Sequence, residues 1–582
     1  MASVRQVIEG TRRFAGLNAR KILLGIVLII TAYLVIPPIG MLLFSAVRGT
    51  EGKLPFEATN FTLENLARVF TSEITLRLFQ NTAIYAIGAV VVGLGIAALF
   101  SWFLERTNVP ARKLMFVLIL APLGMPMIIT SMAWIQLVNP TNGLINVILR
   151  AIFGLEGTGP LNVYSMGGMI IITGLTIAPL IYIMISGTFS RIDPSIEEAG
   201  RTSGAGPFAV LRRISMPLLG PALFAAVIYY IVIVMETFEI PAMLGQPKGI
   251  FVFSSAIYYA INPLEGGKLS DYGVASTYGV ILLIIAAVLI YVYGRYVRNA
   301  DRFATMTGKG YRPRLIDLGK WKYLPTTLMS LYFIIVVLLP LMTLLWTSLA
   351  PPYARFSIAT FSKLDLDAYR NMFQATYLIK SVKNTLIIST SVAVIATFLV
   401  TLISWLSVRG KIAGARLLDR LSFVIIGVPG IVLALVLIFI YASMPVPIYG
   451  TVWVIVVAGV TRSLPFGTRL MSSAFLQVHR ELEEAAATSG AGLKTTFFRI
   501  VMPLLWPSFA RGFVWFFVAT MRDTTMALML HAAGNQTIAV ALWMLWTEEA
   551  RFADAAAIAV PMMIVTMVLT YIVAKQTMLQ ED

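Results

Sequence analysis

Few residues in this chain could do chemistry, and most of those are charged. There is no cysteine, and the two histidines, His479 and His531, lie far apart in sequence. Disulfides, thiolate nucleophiles and thiolate metal sites are therefore excluded. What remains is electrostatic. The triplet Glu197-Glu198-Ala199 recurs as Glu483-Glu484-Ala485, and each copy is followed by Ser-Gly-Ala-Gly and then Met-Pro. Gly204 and Gly490 sit at the same place in the two copies, at a constant offset of 286 residues (198 to 484, 217 to 503). A second charged set lies within apolar runs: Glu236, Glu239, Arg462, Arg522 and Asp523. Such groups make ion pairs, gates and docking contacts; no set of them is arranged to break bonds.

The elements that carry these residues are set by composition. Of 582 residues, 58% are hydrophobic and 13% charged, and a soluble chain would carry roughly twice that charged fraction. Repeated apolar runs of about 20 residues imply spanning helices, which close their own backbone hydrogen bonds in lipid. The net charge of +17 does not indicate nucleic acid, because the basic residues fall between apolar runs, as in cytoplasmic loops. About 12 spans are expected: Ile22–Val47, Asn81–Phe103, Leu114–Leu137, Met166–Ile185 (broken by Pro179), Leu218–Leu244, Val274–Tyr293, Tyr323–Leu349, Asn384–Ser407, Leu421–Ala442, Thr451–Ala474, Leu504–Leu530 and Ala553–Ala574. The basic stretch Met1–Lys21, with Arg5, Arg12, Arg13, Arg20 and Lys21, reads as a cytoplasmic anchor ahead of a retained first span. A basic linker, 298–322, divides the chain into two membrane-spanning halves, 1–297 and 323–582. Both termini, the linker and both repeated segments are expected on the cytoplasmic side.

The duplication is wider than the polar segments. Pro37 matches Pro340, Asn81-Thr82 matches Asn384-Thr385, and Gly124 and Pro126 match Gly427 and Pro429, all 303 apart. The offset falls to 286 past the third span, where a loop around Asn139–Val163 is longer in the first half; Pro179 then matches Pro465. Six spans per half is an even number, so the two repeats run parallel, related by an axis along the membrane normal.

Each repeated segment opens with a carboxylate-rich helical turn, breaks at Ser-Gly-Ala-Gly, and resumes before a Met-Pro that enters the next span. Glycine accepts the positive φ of a helix C-terminus. Pro217 and Pro503 stand where a new helix can begin. Glu-Glu-Ala, a glycine after four intervening residues, and Met-Pro about a dozen further on resemble the EAA loop of bacterial ABC importer permeases. The resemblance covers nearly the whole chain and implies an all-α polytopic membrane protein of the type I importer fold. It implies that Glu197, Glu198, Ala199, Gly204, Glu483, Glu484, Ala485 and Gly490 form coupling helices that dock on a cytoplasmic ATPase. Gly200, where the family usually has alanine and the second copy has Ala486, implies a slightly looser first knob, since glycine costs up to about 1 kcal/mol in a helix. The bland alternative, loop helices that merely cap the bundle, is disfavoured by the two matched copies.

Neither Gly308-Lys309-Gly310 nor Gly266-Gly267-Lys268-Leu269 has the spacing of a phosphate-binding loop. The chain is thus expected to bind no cofactor and to be no enzyme itself. ATP and Mg would belong to a homodimeric ABC ATPase in the cytoplasm, with an external substrate-binding protein and the bilayer of a bacterial inner membrane as the other partners. The fused layout is most similar to ferric-iron importer permeases, the second half (Leu464-Pro465-Phe466-Gly467-Thr468-Arg469) closest; thiamine, polyamine, phosphonate and sulfate importers are related. No set of iron ligands in the sequence supports iron.

Charges inside spans usually face a cavity or bundle interior. Glu236 aligns with Arg522 at the 286 offset, and an ion pair between them would close an outer gate. Alternatively Glu236, Glu239 and Asp523 face a cationic substrate. Arg462 lies near the middle of the tenth span. It either pairs with a buried carboxylate or carbonyl, or lines the path, where it would suit an anion or a chelated metal. Arg469 is placed to snorkel. The rival class is an ion-coupled secondary transporter, which also uses paired six-span halves but has no reason to repeat the polar loops. A scaffold protein is disfavoured by the charges within spans and by the proline-broken helices.

Overall fold

Among the described residues, ten helices are long and apolar enough to cross a membrane, and two further bent pairs bring the number to 12 when each pair is one span. The structure is a computed structural model that describes residues 2–49, 52–189, 194–264, 268–300, 315–351, 358–409, 414–445 and 447–578. Arg191, the linker from Asp301 to Arg314 and the loop residues Gly266, Gly267, Gly308, Lys309 and Gly310 lie outside the described residues, as do the side chains of Arg5, Arg12, Arg13, Arg201 and Arg298. Among the described residues all regular structure is helical apart from two isolated bridges.

The chain divides into two compact units that cut across the sequence repeat. One comprises Met1–Ser45 and Val382–Gln536, the other Ala46–Ser381 and Thr537–Asp582. The first unit therefore holds the first span (Arg20–Ala46), most of the eighth (Thr376–Arg409), the ninth, the tenth (Val452–Gln477) and the eleventh (Lys494–Arg522). The second holds the second (Glu73–Arg106) to the seventh (Gly319–Leu349) and the twelfth (Phe552–Ile572).

The third and ninth spans are not the continuous helices expected. They are bent pairs, Arg112–Gly124 with Met127–Val138 at 97° and Ala415–Gly427 with Gly430–Ala442 at 105°. The cause is the shared Gly-x-Pro. Proline has no N–H, and its ring pushes the preceding residue out of the helical region. Met125 (φ −92, ψ 120) and Val428 (φ −98, ψ 108) are accordingly extended.

The fifth and eleventh spans end earlier than expected, at Glu236 and Arg522, with Thr237 and Asp523 extended. These positions match at the 286 offset but break for different local reasons. In the fifth, Pro241 lacks the N–H that would bond Thr237, four residues back. In the eleventh, Asp523 Oδ1 accepts from the Met526 backbone N–H at 3.1 Å, opening a new short helix, Thr525–Met529, in the manner of an N-cap.

The fourth span, Met166–Phe189, runs unbroken through Pro179, contrary to expectation. Proline leaves the Leu175 carbonyl without its intrahelical donor. The Tyr332 hydroxyl of the seventh span donates to that oxygen at 2.7 Å, while Tyr85 of the second span meets Thr173 at 2.8 Å. These bonds fix the second, fourth and seventh spans as one packed group. In the first unit, Trp405, Phe475, Phe497, Val501 and Leu505 form a buried cluster, and the hydroxyls of Tyr33 and Tyr441 meet at 3.2 Å.

The matched asparagines do matched work. Asn81 Nδ2 donates to the Phe251 carbonyl at 3.0 Å, and Asn384 Nδ2 to the Gln536 carbonyl at 2.9 Å. Each ties the start of its span to the loop that follows the broken helix of its own unit.

Candidate functional site

The repeated segments fold as helix, turn and helix. The first helices are Pro194–Thr202 and Glu481–Thr488. Each ends on a left-handed glycine, Gly204 (φ +87) and Gly490 (φ +79). The Ala205 N–H reaches the Gly200 carbonyl at 3.1 Å, and the Ala491 N–H the Ala486 carbonyl at 3.0 Å. This six-to-one closure after a left-handed residue satisfies carbonyls that a helix end would otherwise orphan.

The second helices do not stop before Met-Pro, as expected, but run into the next span. The turns Leu211–Ser215 and Phe497–Val501 widen to π geometry just ahead of Pro217 and Pro503. A wider turn lets the chain pass a residue with no N–H without ending the helix. Each knob is thereby continuous with the fifth or eleventh span.

Gly200 is also more than a weak helix former. A Cβ there would lie 2.5 Å from Ile214 Cδ1, so the side chain of Ile214 occupies the space that a methyl would take. The first knob is closed over Gly200 rather than loosened by it.

The two adjacent glutamates face opposite ways. Glu197 and Glu483 are buried, at 8% and 7% exposure. Glu198 is half-buried and Glu484 exposed, the latter paired with Arg480 at 3.1 Å. Ala199 and Ala485 are exposed, as are the matched aliphatic residues Ile196 and Leu482. An aliphatic side chain, a carboxylate and an alanine thus form one presented face on each knob.

The buried glutamates are held in the same way in both halves. Arg106, the last residue of the second span, brings Nε to 3.3 Å from Glu197 Oε2 and donates from Nη2 to the Phe189 carbonyl at 2.8 Å. Arg409, the last residue of the eighth span, brings Nε to 3.2 Å from Glu483 Oε1 and donates to the Phe475 carbonyl at 3.0 Å and to the Val478 carbonyl. Arg106 and Arg409 are 303 apart; Glu197 and Glu483, like Phe189 and Phe475, are 286 apart. Each arginine therefore joins three elements: the end of its own span, the C-terminal carbonyls of the next-but-one span, and the first turn of the knob. Cations suit a helix C-terminus and carboxylates an N-terminus, and the planar guanidinium serves both at once.

The second carboxylate oxygen is satisfied differently in each half. Ser215 Oγ donates to Glu197 Oε1 at 2.7 Å, whereas Trp405 Nε1 donates to Glu483 Oε2 at 3.2 Å. Position 501, the match of Ser215, is valine and has no donor, so the indole takes that part. The Arg20 guanidinium lies 5.9 Å from the Trp405 ring centroid, a cation–π distance. The first clamp is further tied down by the chain that leads to the seventh span. The Ile316 N–H donates to the Arg106 carbonyl at 2.8 Å, and Asn108 Nδ2 donates to Asp317 Oδ1 at 2.6 Å. The clamp arginines, Phe189, Phe475, Ser215 and Trp405 escaped the sequence reading. The repeat of Arg106 at Arg409, at the same offset as Asn81 and Asn384, was the signal that could have found the arginines.

The charges within spans have their own surroundings. Arg462 donates from Nη1 to the Val428 carbonyl at 3.2 Å and lies within electrostatic reach of Asp523. Arg469 sits over the Phe423 ring at 4.8 Å and pairs with Asp419 at 3.4 Å. Glu239 is buried, within reach of Tyr85. Glu236 and Arg522 belong to different compact units. Among the described residues, no three His, Asp or Glu side chains gather to hold a metal ion. The second unit also contains a cavity of about 910 Å³ lined by Tyr258, Trp346, Trp543 and Trp546, with Arg551 and Asp554 paired at 2.8 Å on its wall.

The model of the "binding-protein-dependent transport system inner membrane component" family matches residues 89–304 and 400–577, and each segment carries one clamp. A ferric transport system permease protein, FbpB, of Actinobacillus pleuropneumoniae is 27% identical over 546 residues, covering 92% of this chain and 75% of its own. The Fe(3+)-transport system permease protein FbpB 2 of Haemophilus influenzae is 22% identical over 528 residues, 89% of this chain and 94% of its own. The maltose/maltodextrin permease MalF of Salmonella typhimurium is 25% identical over 259 residues, 42% of this chain and half of its own.

Proposed function

The chain belongs to the family of inner membrane components of binding-protein-dependent transport systems, and on that premise we propose that it is the permease subunit of an ATP-driven importer of ferric iron. The observation that carries iron is the match to ferric permeases along nine-tenths of this chain. Iron here is cargo, handed over by an external binding protein that reads its identity.

ATP and Mg are bound by a separate ATPase dimer. Two near-equivalent knobs in one chain favour two identical ATPase subunits. Their docking face is Ile196, Glu198 and Ala199 on one knob and Leu482, Glu484 and Ala485 on the other, all at least partly exposed. Both knobs and both termini face the cytoplasm, as the basic loops require. The bond from Arg462 to the Val428 carbonyl supports the carbonyl-pairing reading of this arginine over one in which it lines the path for an anion.

Uptake tests the reading. Proteoliposomes carrying the complex, with the binding protein outside, are expected to accumulate radiolabelled ferric iron only when ATP is present inside. Accumulation of thiamine, a polyamine or a phosphonate with no uptake of iron would replace the substrate and keep the class. Uptake without any ATPase, driven by an ion gradient, would overturn the class.

A further inference from the structure

Both clamps set a buried glutamate against an arginine, fully buried in the first pair and partly buried in the second, where no docking contact is needed. Arg106 is 2% exposed, and Glu197 and Glu483 are nearly as buried. Burying a charge pair gives little net stability compared with apolar packing of the same volume. Two such pairs at matched positions, each also bonded to the last carbonyls of another span, are therefore poorly explained as glue alone. Their geometry has a mechanical consequence. A knob hinged only through its π turn would pass motion to the fifth or eleventh span and to nothing else. With the clamp closed, the same knob is fixed to the inner ends of the second and fourth spans, or the eighth and tenth.

We propose that Arg106 and Arg409 are positioning residues for transport coupling: each fixes its knob to two further spans through the buried glutamate, so that displacement of the knob moves three spans together. This inference rests on the proposal that the knobs dock an ATPase. The two clamps also differ in what backs them. The first is backed by the Ile316 strap and a short serine bond. The second is closed by an indole that carries Arg20 on its ring.

The test uses the full complex in proteoliposomes, with the binding protein and ferric iron. Substrate-stimulated ATPase, basal ATPase and iron transported per ATP are measured for wild type, Arg106→Met, Arg409→Met, and the paired changes Arg106→Met/Glu197→Gln and Arg409→Met/Glu483→Gln. The paired changes leave no stranded charge, so they separate coupling from folding. The expected result is an assembled complex whose basal ATPase is within about twofold of wild type and whose iron transported per ATP falls about tenfold or more. Arg106→Lys is expected to recover only part of that ratio, because an ammonium cannot span the carboxylate and the Phe189 carbonyl as a planar fork does. A paired variant that keeps the wild-type ratio would overturn the inference, whatever its thermal stability. An equal fall in basal ATPase, stimulated ATPase and transport would also overturn it, since a purely structural clamp gives that pattern. A wild-type complex with no ATPase would instead be a failure of the importer reading, and it is seen before any variant is made.

Discussion

The Tyr332 hydroxyl lies 2.7 Å from the carbonyl oxygen of Leu175, the one acceptor that Pro179 deprives of its helical donor. Tyr332 belongs to the seventh span and Leu175 to the fourth, so a residue from the second sequence half completes the backbone of a helix in the first. Arg462 does comparable work in the other unit, where its guanidinium meets the Val428 carbonyl freed by the 105° bend of the ninth span. Helix breaks are tolerated inside lipid only where such partners exist.

Tyr332→Phe removes the donor and leaves the shape. The part-buried Leu175 carbonyl then loses its partner, at a cost of about 1 kcal/mol. The expected outcome is a lower thermal midpoint in detergent with little change in assembly. An unchanged midpoint would show that the fourth span tolerates Pro179 unaided.

Arg462→Met is expected to destabilise by about 1–3 kcal/mol, because the Val428 carbonyl loses its donor and Asp523 loses a nearby cation. Transport per folded molecule should fall by no more than about twofold. A much larger loss at full stability would return Arg462 to the pathway.

The adjacent glutamates separate cleanly. Glu483→Ala leaves the partly buried Arg409 without its carboxylate and should cost about 1–3 kcal/mol, read as a lower thermal midpoint. Glu484→Ala touches an exposed side chain and should leave the midpoint within about 0.5 kcal/mol of wild type, while ATPase retention on purification falls. Equal thermal effects would contradict the inward and outward assignment.

The turn glycines predict a second contrast. Gly490→Ala forces a side chain into positive φ, at about 1–2 kcal/mol. Gly200→Ala gains helix propensity but must displace the tip of Ile214, and should change stability by less than about 1 kcal/mol. Thermal unfolding of the two variants side by side checks the order.

The strap on the first clamp depends on pH. The Gly319 backbone N–H, and then the Asn108 side chain, hold the Asp317 carboxyl below its ordinary value of 3.8. Its contribution is present above that ordinary value and is lost as pH falls through the lower folded one. Amide exchange at Ile316 and Leu318 should therefore lose protection in acid sooner in wild type than at neighbouring helical amides. In Asp317→Asn the protection should no longer depend on pH over that window.

Much of this was legible in the sequence because duplication doubles every signal. The apolar runs gave the spans, and the repeated Glu-Glu-Ala and Gly pattern gave the knobs with their left-handed turns. What escaped was tertiary. Gly124-Met125-Pro126 and Gly427-Val428-Pro429 are visible as matches, but run length alone reads as a straight helix. Pro179 was read as a break because its rescuer, Tyr332, is 153 positions away. The clamp stayed hidden because its arginine follows one repeat offset and its glutamate the other, so no single window contains the pair. The orientation of Glu197 against Glu198 could not be read from spacing, since neighbours on a short helix differ only in which side the fold covers.

The most direct test of the central account is ATPase activity of the reconstituted complex with iron-loaded binding protein, measured for wild type and for Glu198→Ala/Glu484→Ala. The account predicts that loaded binding protein stimulates the wild type at least several-fold and that the double variant, folded and inserted, loses that stimulation. Stimulation that survives the double change would contradict the assignment of these carboxylates to the docking face. A wild-type preparation with no associated ATPase would contradict the account itself.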